Sequence, residues 1–298
     1  MARRELTTGE VARVLSVSEA TVKRWADRRL LLSEKTAGGH RRFRTEAIAR
    51  FLRDKNSPER TRPEPSANSS PVSLTEQLSR AHISSASTHS LFESLLDGRA
   101  DDAAPLLINL YLHGRGLEEI FDQALAPAMR RVGDLWHTGD LSIAQEHLAT
   151  RTAEMALERL RDVVQAEEGT GLLAVCCGME GDFHDLAVRC AHALLESKGW
   201  QVVNLGANTP FFALTEAMLR HGPALVCVSS AIFTNPDRAA REYEEVLRSA
   251  ARLRAAIVLG GAGFQDEQVR QRFYADLHAE NFRQLAVFTS EIAAAPRA

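Results

Sequence analysis

No apolar run in the 298 residues approaches the roughly 20 that a membrane-spanning helix needs, and Met1-Ala-Arg-Arg-Glu5 leads into polar helix signals rather than a secretory core. Neither pattern points to a membrane, and a cytoplasmic location is expected. Cysteine is scarce. Cys176, Cys177, Cys190 and Cys227 stand in apolar contexts without metal-type spacing, which argues against a disulfide framework and reads as small buried hydrophobes in a reducing compartment. The glycine-rich signatures of nucleotide binding are missing too: no Gly-x-Gly-x-x-Gly follows the first strand of the C-terminal part, and there is no phosphate-loop lysine. What remains, at 45% hydrophobic and 25% charged, is a soluble globular composition long enough for two or three domains with their own cores.

Charge is not spread evenly. Residues 1–56 hold 14 of the 36 Lys and Arg but 7 of the 39 Asp and Glu, which sets a head of +7 on a body of −10 within a net charge of −3. A basic head on an acidic body points to a polyanion as partner of the head alone. Within it, Thr7-Thr8-Gly-Glu-Val-Ala-Arg-Val-Leu15 starts with a capping threonine and sets Val11, Val14 and Leu15 on one helical face. A second helix follows Ser18 as N-cap, burying Val22, Trp25 and Ala26 and exposing Thr21, Lys23, Arg24 and Arg28. Two short helices joined by a tight turn suit a helix-turn-helix with its second helix in a major groove, or a plain helical hairpin. The next stretch favours the first: Thr36-Ala-Gly-Gly-His-Arg-Arg-Phe-Arg44 has a glycine pair for a hairpin turn and arginines around one anchoring phenylalanine, the make-up of a phosphate-contacting wing. The runs Val22-Lys-Arg-Trp-Ala-Asp-Arg28 and Gly38-Gly-His-Arg-Arg-Phe43 resemble the winged helix-turn-helix of MerR-type transcriptional regulators. That resemblance implies Lys23 and Arg24 near bases, Thr21 among the DNA-binding residues, and His40, Arg41 and Arg42 near phosphates or the minor groove of a double-stranded DNA operator. One module of this size binds weakly, so a dimer or larger assembly is expected.

Four prolines and four serines between Asn56 and Val72, with almost no hydrophobes, predict an extended tether over residues 57–73 that leaves the head independent of the body. Three- and four-residue apolar spacing then predicts helices over Thr75–Leu96, Asp101–His113, Leu117–Leu135 and Ser142–Val164, a four-helix bundle over residues 74–166. Between its last two helices lie Trp136 and His137, and after nine residues that follow the tryptophan come Glu146 and His147. Trp-x9-Glu-His suits a flat lid with an acid and an imidazole beside it, or a structural cap beside solvated helix-end residues.

Residues 167–298 alternate strand and helix: Gly171–Cys177, Asp185–Ser197, Trp200–Leu205, Phe211–His221, Ala224–Ser229, Asp237–Leu253 and Ala255–Leu259. That alternation predicts a doubly wound α/β domain of about five parallel strands. The strand ends carry Gly206, Ser229-Ser230 and Gly260-Gly261, small residues that serve either tight turns or the close approach of a ligand. After the first strand, Cys177-Gly-Met-Glu-Gly-Asp-Phe-His-Asp-Leu-Ala187 places Asp182 two residues before His184 on the edge where such sheets bind ligands. A carboxylate at that distance can take the proton of one ring nitrogen and leave the other lone pair for a metal; the plainer alternative is a surface-loop histidine beside a helix cap.

Trp-x9-Glu-His followed by Asp-x-His, Ser-Ser and Gly-Gly resembles the cobalamin-binding module of methionine synthase-like proteins and B12-dependent photoreceptors, its α/β part flavodoxin-like. With the head, the whole chain resembles the CarH/CarA/LitR family of light- or B12-responsive repressors. The resemblance implies adenosylcobalamin as cofactor, His184 with Asp182 behind it as lower cobalt ligand, and Trp136 over the upper face with Glu146 and His147 beside it. It further implies His137 as a cobalt ligand after light, and Ser229, Ser230, Gly260 and Gly261 around the nucleotide tail. Two positions depart from the family pattern: Ala187 replaces a glycine, and Ser229-Ser230-Ala231 stands for Ser-x-Leu/Thr. The reading that follows is a non-enzymatic transcriptional repressor, dimeric or tetrameric when cofactor-bound in the dark. Its alternatives are a MerR-type sensor of cobalamin, another tetrapyrrole or a partner protein without light, and a corrinoid methyl carrier.

Overall fold

The computed structural model describes residues 5–51 apart from 16, 37, 46 and 49, together with residues 83 and 85–295. The expected tether at 57–73 and the start of the helix expected from Thr75 lie outside them. The chain forms two compact units, Met1–Gly116 with Gln123–Val164, and Leu117–Asp122 with Gln165–Ala298.

The first unit opens with β1 (Glu5–Thr7), α1 (Thr8–Val14), α2 (Glu19–Asp27), β2 (Glu34–Lys35) and β3 (Arg41–Arg44). Thr7 caps α1 reciprocally with Glu10: the Glu10 N–H donates to the threonine hydroxyl at 3.2 Å and the Thr7 N–H to the Glu10 carboxylate at 2.7 Å. Ser18 caps α2 through the Thr21 N–H. The wing is the β2–β3 hairpin, extended by β1 into an antiparallel sheet in which Leu6 faces a fully buried Phe43. Gly39, at φ +77°, makes the hairpin turn in a region that favours glycine. Of the α2 residues expected inside, Val22 is buried, whereas Trp25 and Ala26 are half-buried. The Trp25 ring lies 4.8 Å from that of Phe51.

Behind the head stand α3 (Ser85–Leu96), α4 (Ala100–Leu112), α6 (Ala126–Thr138) and α7 (Ile143–Arg161), packed as a four-helix bundle. Ala149, Ala153 and Ala156, all buried, give α7 a small-residue stripe, and α4 packs along this helix. The helix expected as one piece over Leu117–Leu135 starts as α5 (Leu117–Ile120), passes through a π-turn at Phe121–Leu125 and continues as α6. Pro127 explains the break: it offers no N–H and its ring crowds the carbonyl one turn back, so the ladder shifts register ahead of it. Leu6, Glu10, Arg13 and Val14 of the head share a cavity of about 210 Å³ with Asp101, Pro105, Ile108 and Arg159 of the bundle. The expected independence of the head is thus qualified, since head and bundle belong to one unit.

In the second unit, β4 (Leu173–Gly178), β5 (Gln201–Asn204), β6 (Leu225–Ser229), β7 (Ala256–Gly260) and β8 (Leu277–Ala279) form a parallel sheet in the order β5-β4-β6-β7-β8. This is the flavodoxin-like doubly wound order, whose direction reverses between β4 and β6. Around it lie α8 (Leu186–Ser197), α9 (Phe211–His221), α10 (Pro236–Leu253), the short α11 (Glu267–Arg272) and α12 (Phe282–Ala294). Four strands fall where the apolar runs predicted them; β8 and α12 had not been placed by the sequence. The four cysteines are buried and free. Burial raises the thiol pKa of Cys177 and Cys190, so both stay protonated and inert. Among the described residues, no helix is long and apolar enough to cross a membrane.

Candidate functional site

β4 is buried along most of its length and delivers the chain at the carboxyl edge of the sheet, beside the strand where the order reverses. Three hydrogen bonds lace the emerging loop to its neighbours. The Gly178 N–H donates to the Gly206 carbonyl at 2.7 Å, the Thr209 N–H to the Gly178 carbonyl at 2.9 Å, and the Met179 N–H to the Ser229 carbonyl at 3.0 Å. Gly181, at φ +81°, lies so close to Thr234 that a Cβ there would fall 2.0 Å from its hydroxyl oxygen. Any other residue would have to displace the Thr234 side chain and hold a backbone conformation that favours glycine.

Asp182 and His184 meet on this loop. The His184 ring donates from Nδ1 to Asp182 Oδ1 at 2.6 Å, and the His184 N–H adds a second bond to the same oxygen at 3.0 Å. The other carboxylate oxygen accepts the Ala231 N–H from the loop after β6. Burial on its own would raise the Asp182 carboxyl, but the bonds from His184 and Ala231 outweigh it and hold its pKa below the ordinary carboxylate value. The carboxylate side chain is 2% exposed and the imidazole 60%. A buried anion therefore fixes one nitrogen of an outward-facing ring, and the lone pair of that tautomer sits on Nε2.

The other small residues of this edge are brought together by the sheet register. Ser229 pairs with Gly178 on one side and Gly260 on the other. Ser230 is fully buried, its hydroxyl donating to the Ile232 carbonyl at 2.7 Å and its carbonyl accepting the Gly263 N–H at 2.9 Å. Gly261 at φ +96° leaves 2.4 Å between a would-be Cβ and the Ser230 carbonyl oxygen, so its lack of a side chain serves the turn. Phe183 is 75% and Phe212 72% exposed, and Ile232 is half exposed. Phe183 and Ile232 lie on loops that leave the sheet edge, and Phe212 on the first turn of α9.

In the first unit, Trp136 and His137 lie exposed on the last turn of α6, which ends at Gly139 in the left-handed conformation. Ser142 and Gln145 form a capping box that starts α7. Glu146 is largely buried and accepts the Thr150 hydroxyl at 2.8 Å, while the exposed His147 ring stands 3.6 Å from its second oxygen.

On the head, Lys23, Arg24 and His40 are exposed and Arg42 is half-buried. Thr21 is also half-buried, with its hydroxyl shared between Ser18 Oγ at 2.9 Å and the Arg24 guanidinium at 3.4 Å. Arg41 is 19% exposed and paired with Asp27 at the end of α2, so it braces the wing against that helix.

Three family models match the chain: a helix-turn-helix domain at residues 5–56, and two B12 binding domains at residues 88–161 and 172–282. A helix-turn-helix head precedes two B12-binding domains. Among curated relatives, the HTH-type transcriptional repressor CarA of Myxococcus xanthus is 31% identical over 151 residues, which is 50% of this chain and 49% of that protein. The match thus spans about half the length of that repressor. Monomethylamine corrinoid protein 1 of Methanosarcina acetivorans is 28% identical over 179 residues, 56% of this chain and 79% of that one. Among solved structures, the monomethylamine corrinoid protein of Methanosarcina barkeri aligns with a TM-score of 0.57 at 22% identity, over 68% of this chain and 96% of its own. The last shows a shared fold.

The donors on the α/β edge fit a cobalamin-type cofactor. Among the described residues no three His, Cys, Asp or Glu side chains cluster to hold an ion. His184, oriented by a buried carboxylate, would be the side chain that holds such a group. Motif spacing pointed to Asp182 and His184 but missed Ala231, which contributes only a backbone N–H, and Ile232 and Phe212, whose exposure depends on the folded loops.

Proposed function

We propose that this chain is a cobalamin-responsive transcriptional repressor that uses adenosylcobalamin to sense light. The observation that carries the reading is the Asp182–His184 pair, outward on the switch-point loop of a B12-binding domain, in a chain whose head is a helix-turn-helix. The His184 Nε2 would hold the cobalt, with Asp182 on Nδ1–H keeping the tautomer and ring plane fixed and the lone pair basic. On the bundle, Trp136, exposed at the end of α6, would be the flat ring that shields the adenosyl group, Glu146 and His147 would offer it polar contacts, and His137 would be a second imidazole able to take the cobalt after light. Bound adenosylcobalamin supplies a cobalt–carbon bond that light breaks. The protein provides the ligand, the lid and an assembly, dimer or tetramer in the dark, that sets how many heads meet an operator. Lys23 and Arg24 address base edges; His40 and Arg42 address phosphates.

A corrinoid carrier is the second reading, favoured by the similarity to monomethylamine corrinoid protein 1. The head weighs against it, because a wing built of Gly38-Gly39-His40-Arg41-Arg42-Phe43 has no task in a shuttle. Absorbance spectra of the purified chain loaded with adenosylcobalamin separate the readings. A histidine-ligated spectrum that changes on green illumination and tracks DNA release supports the repressor. A spectrum indifferent to light, with DNA binding unaffected by cofactor, supports the carrier or a light-independent sensor.

A further inference from the structure

We propose that Asn208 is a positioning residue for His184, holding the backbone of Asp182 so that its carboxylate meets the imidazole. The cobalamin-binding part of the test rests on the functional reading above; the remainder does not.

Asn208 adopts a left-handed backbone, φ +52°. Among the described residues, the other non-glycine positions with positive φ are Arg29 and Arg254, just past the ends of α2 and α10, where chains commonly turn out of a helix. Asn208 closes no helix. It lies between β5 and α9, and α9 is entered through Pro210 with no side-chain cap, so its amide is not spent on the element it precedes. Instead its own N–H donates to the Asp182 carbonyl at 2.9 Å, and its side-chain oxygen accepts the Gly181 N–H at 2.8 Å. The two bonds grip consecutive residues of the His184 loop from a left-handed backbone, which asparagine tolerates better than most side chains. Asp182 is then held twice, at its main chain by Asn208 and at its carboxylate by the Ala231 N–H. A strained residue that spends both polar groups on the loop carrying an exposed imidazole is placed to set that imidazole, and such strain concentrates at functional sites.

Three substitutions separate the parts of the claim. Asn208→Asp keeps the acceptor oxygen and tolerates the backbone; Asn208→Gly keeps the backbone and the N–H but loses the acceptor; Asn208→Ala loses the acceptor and opposes the backbone. The first readout is nitrogen-15 histidine NMR of the cofactor-free full chain, with the His184 signals identified by their loss in His184→Ala. Wild type and Asn208→Asp should show one tautomer with a slowly exchanging Nδ1 proton. Asn208→Gly should show mixed tautomers, with exchange about 10-fold faster, and Asn208→Ala more so. The second readout is titration with adenosylcobalamin in the dark, where Asn208→Gly should bind about 10-fold more weakly, as outer-shell losses at metal-bound histidines do, with Asn208→Asp restoring binding. Glycine and alanine variants that keep the wild-type His184 signals would overturn the proposal, and so would a fall in melting temperature with those signals unchanged, which would mark Asn208 as merely structural. Should the wild-type chain bind no adenosylcobalamin, the functional reading fails while the NMR comparison still decides the role of Asn208.

Discussion

Replacing Asp182 with Asn changes one atom of the proposed site at nearly constant shape. In the native loop Oδ1 accepts the His184 N–H at 3.0 Å and Nδ1–H at 2.6 Å, and Oδ2 accepts the Ala231 N–H. All three partners are donors, so either orientation of the new amide sets its NH2 against an N–H. Turned toward Ala231, it releases the loop after β6; turned toward His184, it removes the acceptor that fixes the tautomer. A buried donor left unpaired costs about 1–3 kcal/mol, and loss of an outer-shell partner of a metal-bound imidazole weakens affinity by about 10–100-fold, or about 1.4–2.8 kcal/mol. Urea denaturation of the cofactor-free chain should therefore show a lower midpoint with an unchanged slope. Absorbance titration with adenosylcobalamin under dim red light should give a Kd raised about 10–100-fold, part of the bound cofactor lacking its histidine ligand. Wild-type affinity with a fully histidine-ligated spectrum would refute the role given to this carboxylate.

Other substitutions carry distinct signatures. His184→Ala removes the proposed cobalt donor itself, so bound cofactor should show only the base-off spectrum; an unchanged spectrum takes His184 out of the site. The Asp182 carboxyl is depressed in the folded chain, so its contribution to stability is complete above its unfolded pKa and lost as pH falls through the lower folded value. The gap in denaturation midpoint between wild type and Asp182→Asn should shrink on acidification through that range, and a constant gap contradicts the linkage. On the head, Arg42→Ala should weaken binding to all DNA alike and lower the salt slope by about one unit if it neutralises one phosphate. Loss of Lys23 or Arg24 should instead cost about 1–3 kcal/mol on the operator and much less on random DNA, if either reads a base edge. Equal losses on both DNAs would reassign them to the backbone.

The parts of this molecule legible in its sequence are those encoded by short-range patterns. Asp182-Phe183-His184 brings its partners within two residues, and the apolar runs of β4, β6 and β7 announce a buried parallel sheet. β8 escaped because three edge residues, one of them His278, form no apolar run. The π-turn before Pro127 escaped because periodicity alone does not show where a helix re-registers. Arg41 had the composition of a phosphate contact, and only the fold shows Asp27 across from it. Ala231 and Asn208 lie 49 and 26 positions along the chain from Asp182, and their contributions are largely backbone N–H groups that any residue but proline carries.

Gel filtration of the full chain with adenosylcobalamin, run in the dark and again after green light, tests the central claim most directly because cofactor capture, photochemistry and assembly are read in one trace. The account predicts a dark species larger than the monomer that elutes with the absorbance of the cofactor and falls apart after illumination. A dark trace in which protein and cofactor elute separately, or a loaded oligomer that light leaves intact, would contradict it.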